Sequence, residues 1–270
     1  MSDDKSILLG AVAYDPKVVT IWEGIREHFQ EQGTPLDFAL FSNYGRQVEE
    51  LLKGHIDVAW NTPLAHVQVR RRTGGRSVSL AMRDSDRDFH AKVIIRRDSG
   101  IKSLEDLKGK TLAVGSSDST QARILPLYFL EQEGVDLSRI NFLPFETDMG
   151  KHGDTGTSEI DVLTALHDGR AQAGTVGDLI WVNEQAAGHV DANKVEVLWT
   201  TPGFDHCMFD SNPSLTQEKA EAFRRALFEM RWDNPRHRRL LEMEGLREWL
   251  PPREEGYRSL EEALRQQEKG

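Results

Sequence analysis

The feature that most constrains the fold is an alternation of short apolar runs with amphipathic stretches over residues 7–72. Ile7–Ala13 (ILLGAVA) reads as a buried strand. Ile21, Trp22, Ile25 and Phe29 then form the apolar stripe of a helix at about 17–31, which Gly33-Thr34-Pro35 breaks. Leu36–Phe41 is a second strand. A helix around 46–53 follows, turning Val48, Leu51 and Leu52 inward, and Gly54 ends it. Ile56–Trp60 is a third strand, and Asn61-Thr62-Pro63 opens a helix at about 64–72. Strand, helix, strand at this spacing demands crossover connections, and so a parallel sheet covered by helices.

Val78–Met82 and His90–Arg96 read as further strands, and a second alternation starts at Ser103. It comprises Leu112–Val114, a helix near 121–133, Asn141–Phe145, a helix near 159–168, Ala171–Val176, Leu179–Gln185 and Val195–Thr200. Phe204–Phe209 is extended, and only helices are expected beyond it, at about 215–230, 235–244 and 258–267. The expected architecture is α/β with two lobes, each a mixed, mostly parallel sheet flanked by helices. Lobe I takes 1–90 plus 205–270, including a helical tail, and lobe II takes 91–204. Two chain crossings, at about 89–93 and 203–208, would act as a hinge that closes on a ligand. The polar segment 146–158 (ETDMGKHGDTGTS) reads as an exposed, mobile loop, and the charges at Arg83, Asp84, Asp86, Arg87 and Asp88 as a solvated one.

A formal net charge of -10 argues against nucleic acid as a partner, since phosphate contacts need a basic face. A local anion site is still compatible with it. The single cysteine, Cys207, allows neither an internal disulfide nor a cysteine zinc site. No metal-ligand spacing or cofactor motif appears. The start MSDDKSILLGAVAYDP has no basic region followed by a long apolar run, and no segment reaches membrane-spanning length. The chain is expected to be periplasmic or extracytoplasmic if a leader was removed, and cytoplasmic if it is complete, with no direct membrane insertion.

Residues 103–126 (SLEDLKGKTLAVGSSDSTQARILP) carry the strongest functional signal. They read as a short helix ending at Gly109, a strand Thr111–Val114, a turn crowded with Ser116, Ser117, Asp118, Ser119 and Thr120, and then a helix. Free N–H groups and a partial positive charge at that helix start, beside several hydroxyls, make an anion cradle. A plain helix cap needs fewer hydroxyls than this.

Several segments together resemble the substrate-binding component of phosphate, phosphite and phosphonate ABC transporters, a group of type 2 periplasmic binding proteins. These are Gly54–Trp60 (GHIDVAW) followed by Asn61-Thr62-Pro63, His90–Gly100 (HAKVIIRRDSG), the 103–126 segment, and ALHDGRAQAGTV at 165–176. The resemblance spans most of residues 7–230. It implies two α/β lobes with a small oxyanion in the cleft between them, no chemistry, no cofactor, and the membrane subunits of a transporter as partners. The family's serine-threonine turn falls on Ser119, Thr120 and Gln121, where Gln121 and Ala122 depart from smaller residues. Its histidine ahead of the next helix falls near Ser158 and Glu159, and His152 in the preceding loop is the candidate replacement.

The candidate ligand-binding residues sit at carboxyl ends of strands, where open α/β sheets bind ligands. They are Tyr14; Asn43 and Tyr44, beside Ser42; Asn61 and Thr62; His90, with Lys92 near it at the first crossing; Ser119, Thr120 and Gln121; and Arg123, placed to fork onto an anion. Asp178 and Asp205 would suit an amine on the ligand, because an unpaired carboxylate in an anion site is costly. Trp22, Trp60 and Trp181 read as core, and Trp232 and Trp249 as cover for the sheet or a partner. Two other readings stay open: a cytoplasmic enzyme on the same scaffold, using His206 and Cys207, or a sensory module docking through the arginine-rich 235–253 region. Adjacent residues in a strand face opposite ways, so His206 and Cys207 are not expected to pair.

Overall fold

The computed structural model describes residues 6–153 and 156–269. Its chain divides into two compact units. The first comprises the chain up to Arg87 with Asp205–Glu255, and the second Asp88–Phe204 with the chain from Gly256 onward.

The first unit holds β1 (Ile7–Val12), α1 (Lys17–Glu31), β2 (Leu36–Phe41), α2 (Tyr44–Leu52), β3 (Val58–Asn61), α3 (Pro63–Thr73) and β4 (Ser79–Arg83). Its sheet has the order β11-β4-β10-β3-β1-β2, where β10 is Met208–Ser211 and β11 is Trp249–Leu250. β1 pairs parallel with β2 and β3, whereas β10 is antiparallel to both β3 and β4. Strands β1 to β4 therefore share one direction. Alternate side chains of each strand feed opposite faces. Ile7, Leu9 and Ala11 pack with Trp22, Phe29, Phe209, Phe223 and Trp249 on one face, while Val48, Leu51, Ala65 and Val69 form the other. Two helices of that unit, α7 (Gln217–Phe228) and α8 (Pro235–Glu244), follow β10, and Phe223 and Leu240 supply their core contacts. The short strand β11 lies within the stretch expected to be only helical. It pairs with β4, and Trp249 drops into the core.

The second unit holds β5 (Ala91–Arg96), β6 (Thr111–Val114), α4 (Leu125–Gln132), β7 (Asn141–Pro144), α5 (Thr157–His167), β8 (Ala173–Gly177), α6 (Asp178–Ala186) and β9 (Val195–Thr200). The sheet order is β7-β6-β8-β5-β9, with β6 parallel to β7 and β8, and β5 antiparallel to β8 and β9. Only β5 runs against the rest. Val93, Ile95, Leu112 and Val114 face one helix layer, and Ile94 and Ala113 the other.

The closing helix α9 (Arg258–Gln267) packs on α4 of the second unit, where Tyr128 donates to Glu262 at 3.0 Å. The tail is thus shared: α7, α8 and β11 belong to the first unit and α9 to the second, and the chain passes between the units three times rather than twice.

Candidate functional site

Within each unit, strand direction gathers the sequence-derived candidates at one sheet edge. In the first unit Tyr14 follows β1, Asn43 and Tyr44 follow β2, Asn61 and Thr62 close β3, and Asp205 leads into the reversed β10. Several of these have structural partners. Asn43 and Thr62 are N-caps: Asn43 Oδ1 accepts the Arg46 N–H at 2.9 Å, and Thr62 Oγ1 that of Ala65 at 3.4 Å. Asn61 lies in a buried network, accepting from Gln47 Nε2 at 2.9 Å and donating to Asp210 Oδ2 at 2.8 Å, with His66 Nδ1 at 2.8 Å from the other Asp210 oxygen. Both ends of its amide are engaged inside the protein. Asp205 is gripped by both arms of the Arg253 guanidinium. Tyr14 and Tyr44 are half-buried at the edge.

Arg83 and Asp86, expected in a solvated loop, are buried and joined by a forked ion pair at 2.6 and 2.7 Å. The Arg83 guanidinium also lies over the Trp60 ring. His206 Nδ1 lies 3.1 Å from Cys207 Sγ, contrary to expectation, because both residues precede β10 and escape its side-to-side alternation. Asp86, His206 and Cys207 bring potential metal ligands within 4.8 Å of one another. The guanidinium already fills both Asp86 oxygens, which disfavours a cation there.

In the second unit, the turn after β6 is the centre of the arrangement. Its backbone is held by Ser119 N–H to Ser116 O at 2.9 Å, and Ser119 caps a π-helical turn, Thr120–Ile124, that runs into α4. Ser119 Oγ accepts the Ala122 N–H at 2.9 Å. Gly115 permits this closure, since a Cβ there would sit 2.6 Å from that of Ala122. The hydroxyls of Ser116 and Thr120 are buried and have no hydrogen-bond partner among the described residues. Buried polar groups rarely go unsatisfied, so the turn has spare capacity for a ligand.

His152 reaches this turn, and the segment expected to be exposed and mobile is in part folded inward. Its Nε2 lies 2.7 Å from Ser119 Oγ, and its Nδ1 lies 2.9 Å from Asp148 Oδ2. Glu159 Oε2 is 3.3 Å from Nε2. Burial opposes a charge on the ring, but Asp148 and Glu159 outweigh it and push His152 up to about 10. Burial likewise opposes the Asp148 charge, yet the hydrogen bond and charge of His152 hold its carboxyl well below the usual range. Gln121 completes the cluster, donating to Gly153 O at 2.8 Å and Glu159 Oε2 at 3.2 Å. Gly156 is required beside it, because a Cβ would sit 2.1 Å from His152 Cε1.

The other candidates of this unit are paired with neighbours. Arg123 bonds Glu146 at 2.6 Å, His90 Nδ1 lies 2.8 Å from Thr201 O, and Asp178 pairs with Lys92. Sequence reasoning did not single out Ser116 or Asp148. Ser116 was visible in the hydroxyl-rich turn, whereas nothing local marked Asp148 as the partner of a histidine four residues on.

The family model described as "ABC transporter, phosphonate, periplasmic substrate-binding protein" matches residues 11–257. The chain belongs to this family. Members are the substrate-binding components of ABC transporters, and this chain is such a solute-binding protein rather than an enzyme. A relative from Prochlorococcus marinus (strain MIT 9301), named "Probable ABC transporter phosphite binding protein PhnD1", is 24% identical over 230 residues, covering 82% of this chain and 74% of that one. The solved structure of PhnD1 with methylphosphonate superposes with a TM-score of 0.78 at 20% identity, covering 99% of this chain and 100% of the other. A Xanthomonas citri protein bound to ATP gives a TM-score of 0.75 at 18% identity, with 96% of each chain covered. These similarities confirm the two-lobed type 2 binding-protein fold for this phosphonate-family chain. No helix among the described residues is long and apolar enough to cross a membrane.

Proposed function

We propose that this chain captures a small phosphonate or phosphite and delivers it to the membrane subunits of an ABC transporter on the outer side of the cytoplasmic membrane. The observation that carries the reading is the turn after β6, where the buried Ser116 and Thr120 hydroxyls lack partners among the described residues, beside the capping Ser119. Such a turn suits a head group with several acceptor oxygens. Ser119 and Thr120 are the primary contacts in this reading. Asn61, Arg123, Asp178 and Asp205 already have charged or amide partners, so they carry less of this reading.

The test is isothermal titration with phosphite, methylphosphonate, phosphate and sulfate. Saturable binding of phosphite or methylphosphonate supports the reading, with Ser119→Ala and Thr120→Ala each weakening it by roughly 1–3 kcal/mol. Absence of binding to all four anions would reject it.

A further inference from the structure

We propose that His152 is a positioning residue: clamped by Asp148, it donates through Nε2–H to Ser119 Oγ, so that the serine hydroxyl can only donate, and the site selects a fully deprotonated ligand oxygen. This rests on the reading that the turn holds a phosphonate or phosphite head group.

The geometry supports each step. Ser119 is fully buried, and its oxygen has two lone pairs. One accepts the Ala122 N–H at 2.9 Å and the other faces His152 Nε2 at 2.7 Å. The Gln121 amide nitrogen, 3.0 Å from Nε2, is itself a donor and offers that N–H no acceptor, and the competing acceptor, Glu159 Oε2, lies farther off at 3.3 Å. Ser119 is left with one unspent proton. Ser116 and Thr120 differ, because their buried hydroxyls can donate or accept. Discrimination by protonation state therefore falls to Ser119.

The charged groups facing the ring are Asp148, from its own loop, and Glu159, from α5. Asp118, in the turn after β6, is turned to the Gly150 N–H at 2.7 Å, and Arg123 and Glu146 pair with each other farther out. Asp148, His152 and Ser119 stand in the order of a hydrolase triad. The second carboxylate, Glu159, changes the outcome, because a ring kept protonated from two sides cannot take the serine proton. The same constellation therefore binds an anion and does not attack a carbonyl.

Two measurements on the full chain test this. First, titration with methylphosphonate from pH 5.5 to 8.5 should show affinity rising about tenfold or more as the ligand loses its second proton, and Ser119→Ala should flatten that rise. His152→Ala should weaken binding about tenfold in the native background and less than about twofold in the Ser119→Ala background, because it acts through that serine. Equal losses in both backgrounds would overturn the proposal. Second, nitrogen NMR of the unsubstituted protein, which does not depend on a variant folding, should find both His152 ring nitrogens protonated at pH 8. A neutral ring there would also overturn it. Tight binding with no dependence on pH rejects this inference alone, whereas a chain that binds neither methylphosphonate nor phosphite rejects the transport reading as well.

Discussion

Lys92 Nζ lies 2.6 Å from Asp178 Oδ1, and the second oxygen of that carboxylate accepts the His90 backbone N–H at 2.9 Å. A carboxylate compensated in this way has little attraction left for an ammonium group on a ligand. The native protein should bind aminoethylphosphonate no more tightly than methylphosphonate. Lys92→Met should uncover Asp178 and improve aminoethylphosphonate relative to methylphosphonate by about tenfold, or 1.4 kcal/mol. Competitive titration of the two ligands measures the ratio, and an unchanged ratio would show that Asp178 is remote from the ligand.

Asn61 and Asp210 separate a stability role from a binding role. Asp210 is fully buried and holds Asn61 on one oxygen and His66 on the other. Replacing it with alanine strands both partners and should cost about 3 kcal/mol or more in urea unfolding. Asn61→Ala should lower the unfolding free energy by about 1–3 kcal/mol while leaving ligand affinity within about twofold.

Gly156→Ala should disturb the histidine clamp. A methyl group there would stand 2.1 Å from His152 Cε1 and 2.4 Å from Asp148 Oδ2, the two side chains of the clamp. Overpacking of this kind costs about 1–3 kcal/mol. The expected readouts are a lower melting temperature and weaker methylphosphonate binding together. A variant with native values for both would place the ring elsewhere in solution.

The pH dependence of stability follows from the same cluster. His152 binds its proton more tightly when folded, so its contribution is complete below the unfolded value of about 6.5 and is lost as pH rises through about 10. Asp148 is depressed when folded, so its contribution is present above about 3.9 and is lost on acidification. The pair is therefore at full strength between these limits. Above them, stability should fall by up to about 1.4 kcal/mol per pH unit from His152 alone. Urea unfolding at pH 6, 7.5 and 9 should show this alkaline decline in the native protein, and His152→Gln should remove it.

Much of the fold was legible because its signals are local. The stripe of Trp22, Ile25 and Phe29 and the apolar run Leu36–Phe41 each specify one element, and both form where expected. Trp249 shows where this fails: two residues paired with β4 carry no periodicity of their own, and only the distant strand makes them one. At the candidate site, the turn that carries Ser119 and Thr120 was readable from a run of hydroxyls before a helix. Partner choice was not, because Asp205 finds Arg253 and Asn61 finds Asp210 only once the chain has folded. Charges were placed correctly along strand ends but read as available when the folded chain had already neutralised them.

The position of β10 has a consequence for how the molecule assembles. It lies between β3 and β4, yet it is translated more than a hundred residues after either (Ser211 pairs with Val58, Asp210 with Ser79). Until Met208–Ser211 emerges, the first sheet has an open slot at its middle, with backbone donors and acceptors unpaired along both sides. Native pairing must therefore wait until the chain has been made as far as Ser211, and such distant closure makes for slow folding. The nascent protein is thus kept pliable until β10 has been made.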